Sequence, residues 1–365
     1  MPKAPDRIFT LDVLRGLAAL SVVFWHWQHF FYVSDHPLNF EASRQPLFEA
    51  LSLFYKHGSL AVELFFCISG FVFFWLFANK IAHRDIPASR FFWDRFSRLY
   101  PLHIVTLAMV AGLQWLYTQE HQTYFVYQIN DAYHALLNVL LIPAWGFESG
   151  WSFNAPIWSV SVEVLLYGIF FLLCLTKKLR YVLIPCLVAL GFVIYPLNYK
   201  LGSGLFTFFC GGLAFLVLQR LTATLSATAT CCVTLMLAIV SWIVVSTQET
   251  NMYLIMGFAF PASVMFIASL SFMNPDLMKP YAAIGDLSYS SYLLHFPLQI
   301  VFAIIADRLS YEREIFYSPW MLGLFMAVLI PLSLASHKFF EVPVQRALRL
   351  KFCNRSINPT FKADF

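Results

Sequence analysis

Charge is what this chain has least of. Only 12% of its 365 residues are charged, about half of the roughly 25% found in soluble domains, which excludes an ordinary water-facing protein. Cysteine builds no framework. Cys67, Cys174, Cys186, Cys210, Cys231 and Cys232 fall within apolar segments and Cys353 in a polar tail, without disulfide or metal-ligand spacing. No metal and no permanently bound cofactor is therefore expected. There is no inverted internal repeat of the kind many secondary transporters carry, which weighs against a transporter. The first apolar stretch lacks a small-residue cleavage site, is too long for a signal peptide, and carries Asp12 and Arg15, so it is expected to remain as a helix.

What is abundant is apolar surface: 59% of residues are hydrophobic and 18% aromatic. Apolar stretches of about 17–25 residues recur from end to end, the length a helix needs to cross a hydrocarbon core of about 30 Å. Hydropathy predicts an all-α polytopic membrane protein with spans near 8–31, 59–79, 99–117, 156–175, 181–197, 203–219, 229–247, 253–272, 286–306 and 319–340. These fill a transmembrane domain over 1–345 and leave a basic tail at 346–365, with no room for a second, soluble domain.

The segment 131–145 is ambiguous, because its apolar run at 135–142 is about half a spanning length. Counting cations decides it. Ten helices with a cytoplasmic N-terminus put 19 of the 24 Lys and Arg inside, leaving Arg44, Lys56, Lys200, Arg308 and Arg313 outside. An eleventh span inverts everything after it and gives 11 inside and 13 outside, against the positive-inside rule. Both termini are then cytoplasmic, and 131–145 lies on or dips into the outer face, within a loop from 118 to about 155 that is aromatic and poor in cations. The net charge of +4 serves topology rather than a nucleic-acid partner.

Within the first span Arg15 and His26 stand eleven residues apart, close to three turns, so they share a face about 16 Å apart along the axis. An intramembrane charge is a functional candidate by default, although Arg15 can also snorkel to the interface or pair with Asp12 three residues earlier. His26 titrates near neutrality and suits a general base that takes a proton from a hydroxyl; its bland alternative is a histidine bonded between helices. In the fourth span Ser159, Glu163 and Tyr167 follow at i, i+4, i+8 and share one face. Glu163 lies about two turns in from the outer side, comparable in depth with His26, so it is expected to orient the imidazole or bind the acceptor, unless it is a carboxylate paired with some arginine. Arg95 and Arg98, three apart at a helix start, lie on one face and suit phosphates, while the positive-inside rule alone also predicts cations there. In the ninth span Ser288 and Tyr292, and Ser291 and His295, are each four apart; they either line the same cavity or tie neighbouring helices together.

In this order the motifs Leu11-Asp12-Val13-Leu14-Arg15-Gly16 with His26, Glu63-Leu64-Phe65-Phe66-Cys67-Ile68-Ser69-Gly70-Phe71, Arg95-Phe96-Ser97-Arg98-Leu99-Tyr100-Pro101, Trp158-Ser159-Val160-Ser161-Val162-Glu163, Leu287-Ser288-Tyr289 with His295, and Phe340-Glu341-Val342-Pro343 make the chain resemble the acyltransferase family 3. The resemblance covers most of the sequence. It implies ten core helices in a bacterial inner membrane, an acyl-coenzyme A donor entering from the cytoplasm, and a carbohydrate or lipid-linked sugar acceptor. It maps the essential pair onto Arg15 and His26, the basic element onto Arg95 and Arg98, and the helix-four acid onto Glu163. On it rest the expected catalytic residues His26 and Glu163, and the expected substrate and donor contacts Asp12, Arg15, Arg95, Arg98, Trp158, Ser159, Tyr167, Tyr289, Tyr292 and His295. Some members carry a fused extracytoplasmic hydrolase-like domain; here the sequence stops about 25 residues after the tenth span, so direct transfer is expected. The rival expectation is a secondary transporter or flippase of a lipid-linked sugar, using the same buried groups as a proton relay.

Overall fold

All ten predicted segments are helical in the computed structural model, which describes residues 7–248 and 251–352. In chain order the helices are α1 (Phe9–Trp25), α2 (Phe48–His57), α3 (Ala61–Leu76), α4 (Ala78–Ala82), α5 (Ala88–His121), α6 (Ala132–Val139), α7 (Trp158–Leu175) and α8 (Arg180–Ile194). There follow α9 (Tyr199–Thr224), α10 (Ala227–Thr247), α11 (Met252–Leu254), α12 (Phe260–Met273), α13 (Ala282–Asp286), α14 (Ser288–Arg308), α15 (Pro319–Ser336) and α16 (Val342–Phe352). The only strands among the described residues are Tyr32–Val33 and His36–Pro37, a short antiparallel hairpin. Lys3, Cys353, Arg355 and Lys362, together with the rest of the tail from 353, lie outside the described residues.

Nine continuous helical stretches among the described residues are long and apolar enough to cross a membrane. The remaining predicted segment is α8, whose 15 residues rise about 22 Å, short of a core of about 30 Å. The ambiguous segment forms α6, eight residues N-capped by the Asp131 carboxylate, and does not span. Polar groups bind this loop to the bundle: His103 Nε2 lies 2.8 Å from the Asn138 carbonyl, and Gln114 exchanges two hydrogen bonds with the backbone of Phe125.

Two boundaries differ from the hydropathy reading for physical reasons. The first span tightens into a 3₁₀ turn at His26–Phe31, because the His26 carbonyl accepts a 2.8 Å hydrogen bond from Gln299 Nε2 in place of the α-helical ladder. The third begins eleven residues early: α5 runs unbroken through Pro101 for 34 residues, about 51 Å, so its first turns, with Arg90, Arg95 and Arg98, extend one end of a span rather than forming a loop.

Without a hydrophobic force between helices in lipid, small residues and paired hydroxyls hold the bundle together. A Cβ on Gly70 of α3 would strike the Phe208 carbonyl of α9, and one on Gly211 of α9 would strike the Cys67 carbonyl of α3. These reciprocal glycines let two backbones touch. Thr10 with Ser271 at 2.9 Å joins α1 to α12, and Thr234 with Ser269 at 3.0 Å joins α10 to α12. Between α3, α5, α7 and α9 the core is aromatic: Phe73, Phe74, Phe91, Phe170, Phe208 and Phe209 are all buried.

Candidate active site

The 3₁₀ turn after α1 delivers His26 and His29 into the middle of the bundle, where α14 supplies His295 and Gln299. All four side chains are buried. The His26 and His295 rings stack with centroids 4.8 Å apart, and His26 Nδ1 lies 3.1 Å from His295 Nε2 and 3.0 Å from the Val22 carbonyl. Acceptors assign the protons. His295 Nδ1 faces the Ser291 carbonyl at 3.3 Å, which only accepts, so His295 carries its proton on Nδ1 and offers Nε2 as a lone pair. His26 therefore donates Nδ1–H to Val22 and His295, leaving Nε2 as its basic nitrogen. Gln299 fixes the pair from behind, its Nε2 on the His26 carbonyl and its Oε1 3.3 Å from His29 Nδ1.

His26 and His29 line a chamber of about 680 Å³ whose walls include Glu63, Tyr127, Trp151, Trp158, Tyr199 and Tyr292. The chamber opens among the loops at 32–35 and 126–129. Tyr127 is half-buried outside the spans, and its phenol is pushed well above its ordinary pKa by desolvation, so it stays a neutral hydrogen-bonding group.

Beyond Tyr292 lies a narrower passage of about 100 Å³. Tyr292 lines both spaces, its hydroxyl donating 2.7 Å to the Pro156 carbonyl and pairing with Ser159 at 2.8 Å. The passage walls carry Arg15, Arg95, Arg98, Ser159, Glu163, Tyr167 and Tyr289. The i, i+4, i+8 spacing of Ser159, Glu163 and Tyr167 thus puts all three on one face, as predicted. Arg95 is buried with its guanidinium 5.5 and 5.2 Å from the Phe73 and Phe77 ring centres. Tyr289 donates 2.5 Å to the Leu99 carbonyl.

The passage leads to a third space, a vestibule of about 340 Å³ sharing Arg15, Arg98, Ser288 and Tyr289 with it. Arg7, Arg15, Arg98 and Arg346 set four cations against Asp286 and Glu341 there. Asp12 is a buried anchor: it takes Arg7 Nε at 2.5 Å and Arg15 Nη2 at 3.4 Å, while Arg15 Nε has no hydrogen-bond partner among the described residues. A π turn at His337–Glu341 presents Glu341, which Ser336 and Ser290 both hydrogen-bond.

Several sequence expectations are revised by this geometry. Glu163 is not beside His26: it lines the passage and accepts a 2.9 Å hydrogen bond from Ser69, because packing of α7 on α3 and α9, not depth alone, sets where its face points. His295 stacks on the His26 imidazole and lines none of the three spaces, and Asp12, which lines none of them either, is ion-paired with Arg7 and Arg15. Trp158 lines the chamber, Ser159 the passage. No structural break falls at 345, since Arg346 sits within α16, which is clamped to α5 by Arg349–Asp94 at 3.0 Å and a Phe352–Trp93 ring stack at 4.4 Å. Three site residues escaped the sequence reading. His29 follows His26 by one turn, Gln299 follows His295 by four, and Glu63 is a charge inside an apolar run, which by itself marks a candidate. Among the described residues, no group of three or more His, Cys, Asp or Glu is placed to hold a metal ion.

Comparison with known proteins gives the family. Residues 8–336 match the family model described as an acyltransferase domain. Among similar proteins are "Protein 2 in picA locus" of Rhizobium radiobacter, 36% identical over 108 residues (30% of this chain, 46% of that protein), and "Acyltransferase MdmB" of Streptomyces mycarofaciens, 32% identical over 170 residues (46% of this chain, 39% of that protein). The chain thus spans less than half the length of either relative. No solved structure matches it. With the family model running from α1 to the end of α15 and across every residue lining the chamber and the passage, the chain belongs to the acyltransferase family 3.

Proposed function

We propose that this protein is a multi-pass membrane O-acyltransferase that moves an acyl group, acetyl in the first instance, from acyl-coenzyme A to a hydroxyl of a carbohydrate-type acceptor such as a surface polysaccharide or lipid-linked sugar. One observation carries the reading: vestibule, passage and chamber lie in series with shared walls, four arginines at one end and a basic imidazole at the other. The clustered guanidiniums suit the phosphates of a nucleotide-bearing donor, and the charge bias puts that end in the cytoplasm. From Arg15 to His26 is about 16 Å along α1, the span a thioester arm must thread past Tyr289 and Tyr292.

In the chamber the acceptor hydroxyl lies against His26 Nε2. As its oxygen attacks the thioester carbonyl, Nε2 takes the hydroxyl proton, and the resulting imidazolium is stabilised by the His295 Nε2 lone pair. The tetrahedral adduct then collapses, the C–S bond breaks, and the departing thiolate recovers the proton from His26. Products are an O-acyl ester and free coenzyme A. Glu163, among the arginines of the passage, keeps Arg15 and Arg98 oriented toward the donor. Trp158, Trp151 and Tyr199 offer stacking faces for a sugar ring.

The test is thiol release from acetyl-coenzyme A by detergent-purified protein, with and without envelope glycan. Glycan-dependent release abolished by His26→Ala is expected. Absence of both release and acetyl-coenzyme A binding overturns the proposal and favours proton-coupled transport through the same route.

A further inference from the structure

The chamber and the vestibule have opposite electrostatics. Glu63 and Asp35 are the only acidic groups lining the chamber, and among the described residues no Lys or Arg lines it. Lys200 sits 3.5 Å from the Trp151 ring centre, is ion-paired with Glu148 and does not line the space. The two histidines are neutral when His26 is competent as a base. Glu63 itself is only 8% exposed, opens onto the cavity, and is hydrogen-bonded by no other residue among those described. A buried carboxyl group whose partner is only its own backbone N–H is costly, and here the open side is the ligand space.

We propose that Glu63 is the acceptor-binding and specificity-determining residue of the chamber, gripping hydroxyl or ammonium hydrogens of a neutral or amine-bearing sugar ring and excluding rings that carry a carboxylate. This rests on the acyl-transfer reading. A carboxylate accepts two hydroxyl hydrogen bonds at once, and hydrogen bonds to an ionised group are about twice as strong as neutral ones. An anion in the same place meets a group that offers no positive charge in either protonation state, with no cation on the opposite wall to compensate. The aromatic walls, Tyr127, Trp151, Trp158 and Tyr199, bind the apolar face of a sugar ring regardless of its charge, and cation–π attraction to them adds to the preference for an amine. Selection by charge is thus assigned to Glu63 and selection by ring to the aromatics.

The experiment measures thiol release from acetyl-coenzyme A at low concentrations of three acceptors that share one ring: methyl glucoside, methyl glucuronide, and methyl glucosaminide dimethylated on nitrogen so that only hydroxyls can take the acyl group. Wild type is expected to use the dimethylamino sugar and the glucoside at least tenfold faster than the glucuronide. Glu63→Gln, which keeps shape and removes charge, is expected to narrow the amine-to-uronide ratio about tenfold without changing KM for acetyl-coenzyme A. Equal rates, a preference for the glucuronide, release with envelope glycan but with none of the three glycosides, or an unchanged ratio in Glu63→Gln overturns the assignment while leaving acyl transfer intact. No release with any acceptor, envelope glycan included, overturns the acyl-transfer reading beneath it. The wild-type order decides the question even if Glu63→Gln does not fold.

Discussion

Replacing His295 with Phe removes the Nε2 lone pair that faces His26 and the Nδ1–H that faces the Ser291 carbonyl, a carbonyl already within the α14 ladder. The site is fully buried and lies in an aromatic stack, with the His26 ring centre 4.8 Å away, so a phenyl ring fills the space. What is lost is the acceptor 3.1 Å from His26 Nδ1. In the resting enzyme the loss is small, because Nδ1–H still reaches the Val22 carbonyl at 3.0 Å. In the transition state His26 carries a positive charge, and a hydrogen bond from a charged donor contributes about 1.5–3 kcal/mol. That converts to a fall in kcat of roughly 10- to 150-fold. KM for acyl-coenzyme A should hold, since His295 lines neither passage nor vestibule. His295→Gln, whose amide oxygen still accepts, should recover part of the rate, and His26→Ala should fall further, by the 10²- to 10⁴-fold a general base supplies. Thiol-release kinetics on folded, monodisperse variants measure all three. A His295→Phe protein at wild-type kcat, or one that loses donor affinity instead, would refute the assignment of the imidazole pair.

Arg98 faces both passage and vestibule, so Arg98→Ala should raise KM for acyl-coenzyme A about tenfold or more, the worth of a lost charge-assisted contact. Arg98→Lys should restore less than half of that in free-energy terms, because an ammonium lacks the planar fork; steady-state kinetics read both. Gly211→Ala forces a methyl group onto the Cys67 carbonyl, and overpacking of this kind costs about 1–3 kcal/mol, visible as a lower thermal midpoint in detergent. Asp131 lies in the loop between α5 and α7, and its carboxyl is held below its ordinary pKa first by the His134 backbone N–H and then by the His134 ring. A depressed folded-state value means that this cap stabilises α6 above the unfolded carboxylate pKa of about 3.9 and is lost as pH falls below it. Protection factors across 132–139, with the intrinsic pH dependence of exchange divided out, should therefore fall below about pH 4, and Asp131→Asn should flatten that dependence; protection that does not change with pH in the native protein would show the cap to be idle.

How far the site could be read from sequence depends on which geometry a span fixes. Hydropathy gives the depth of a residue, and helical spacing gives which residues share a face; the spacing places Ser159, Glu163 and Tyr167 together on one passage wall, and Arg95 and Arg98 meet there too. Neither gives the rotation of a helix about its axis. Glu163 and His26 were matched in depth, yet Ser69 turns one toward the passage while the other lines the chamber, and the missing partner of His26 came from a residue 269 positions away. Rotation is decided by contacts such as the Gly70 and Gly211 approach of α3 and α9, which are properties of pairs of helices and leave no periodic trace in either one. The same limit hid the continuity of α5, whose Pro101 reads as a helix start in isolation but is tolerated inside a packed span. Glu63 is the instructive contrast. No helix pairing is needed to suspect a lone carboxylate in the apolar run of α3; only its direction had to be seen, and that direction sets a chamber lined by Glu63 and Asp35 apart from the vestibule lined by Arg7, Arg15, Arg98 and Arg346.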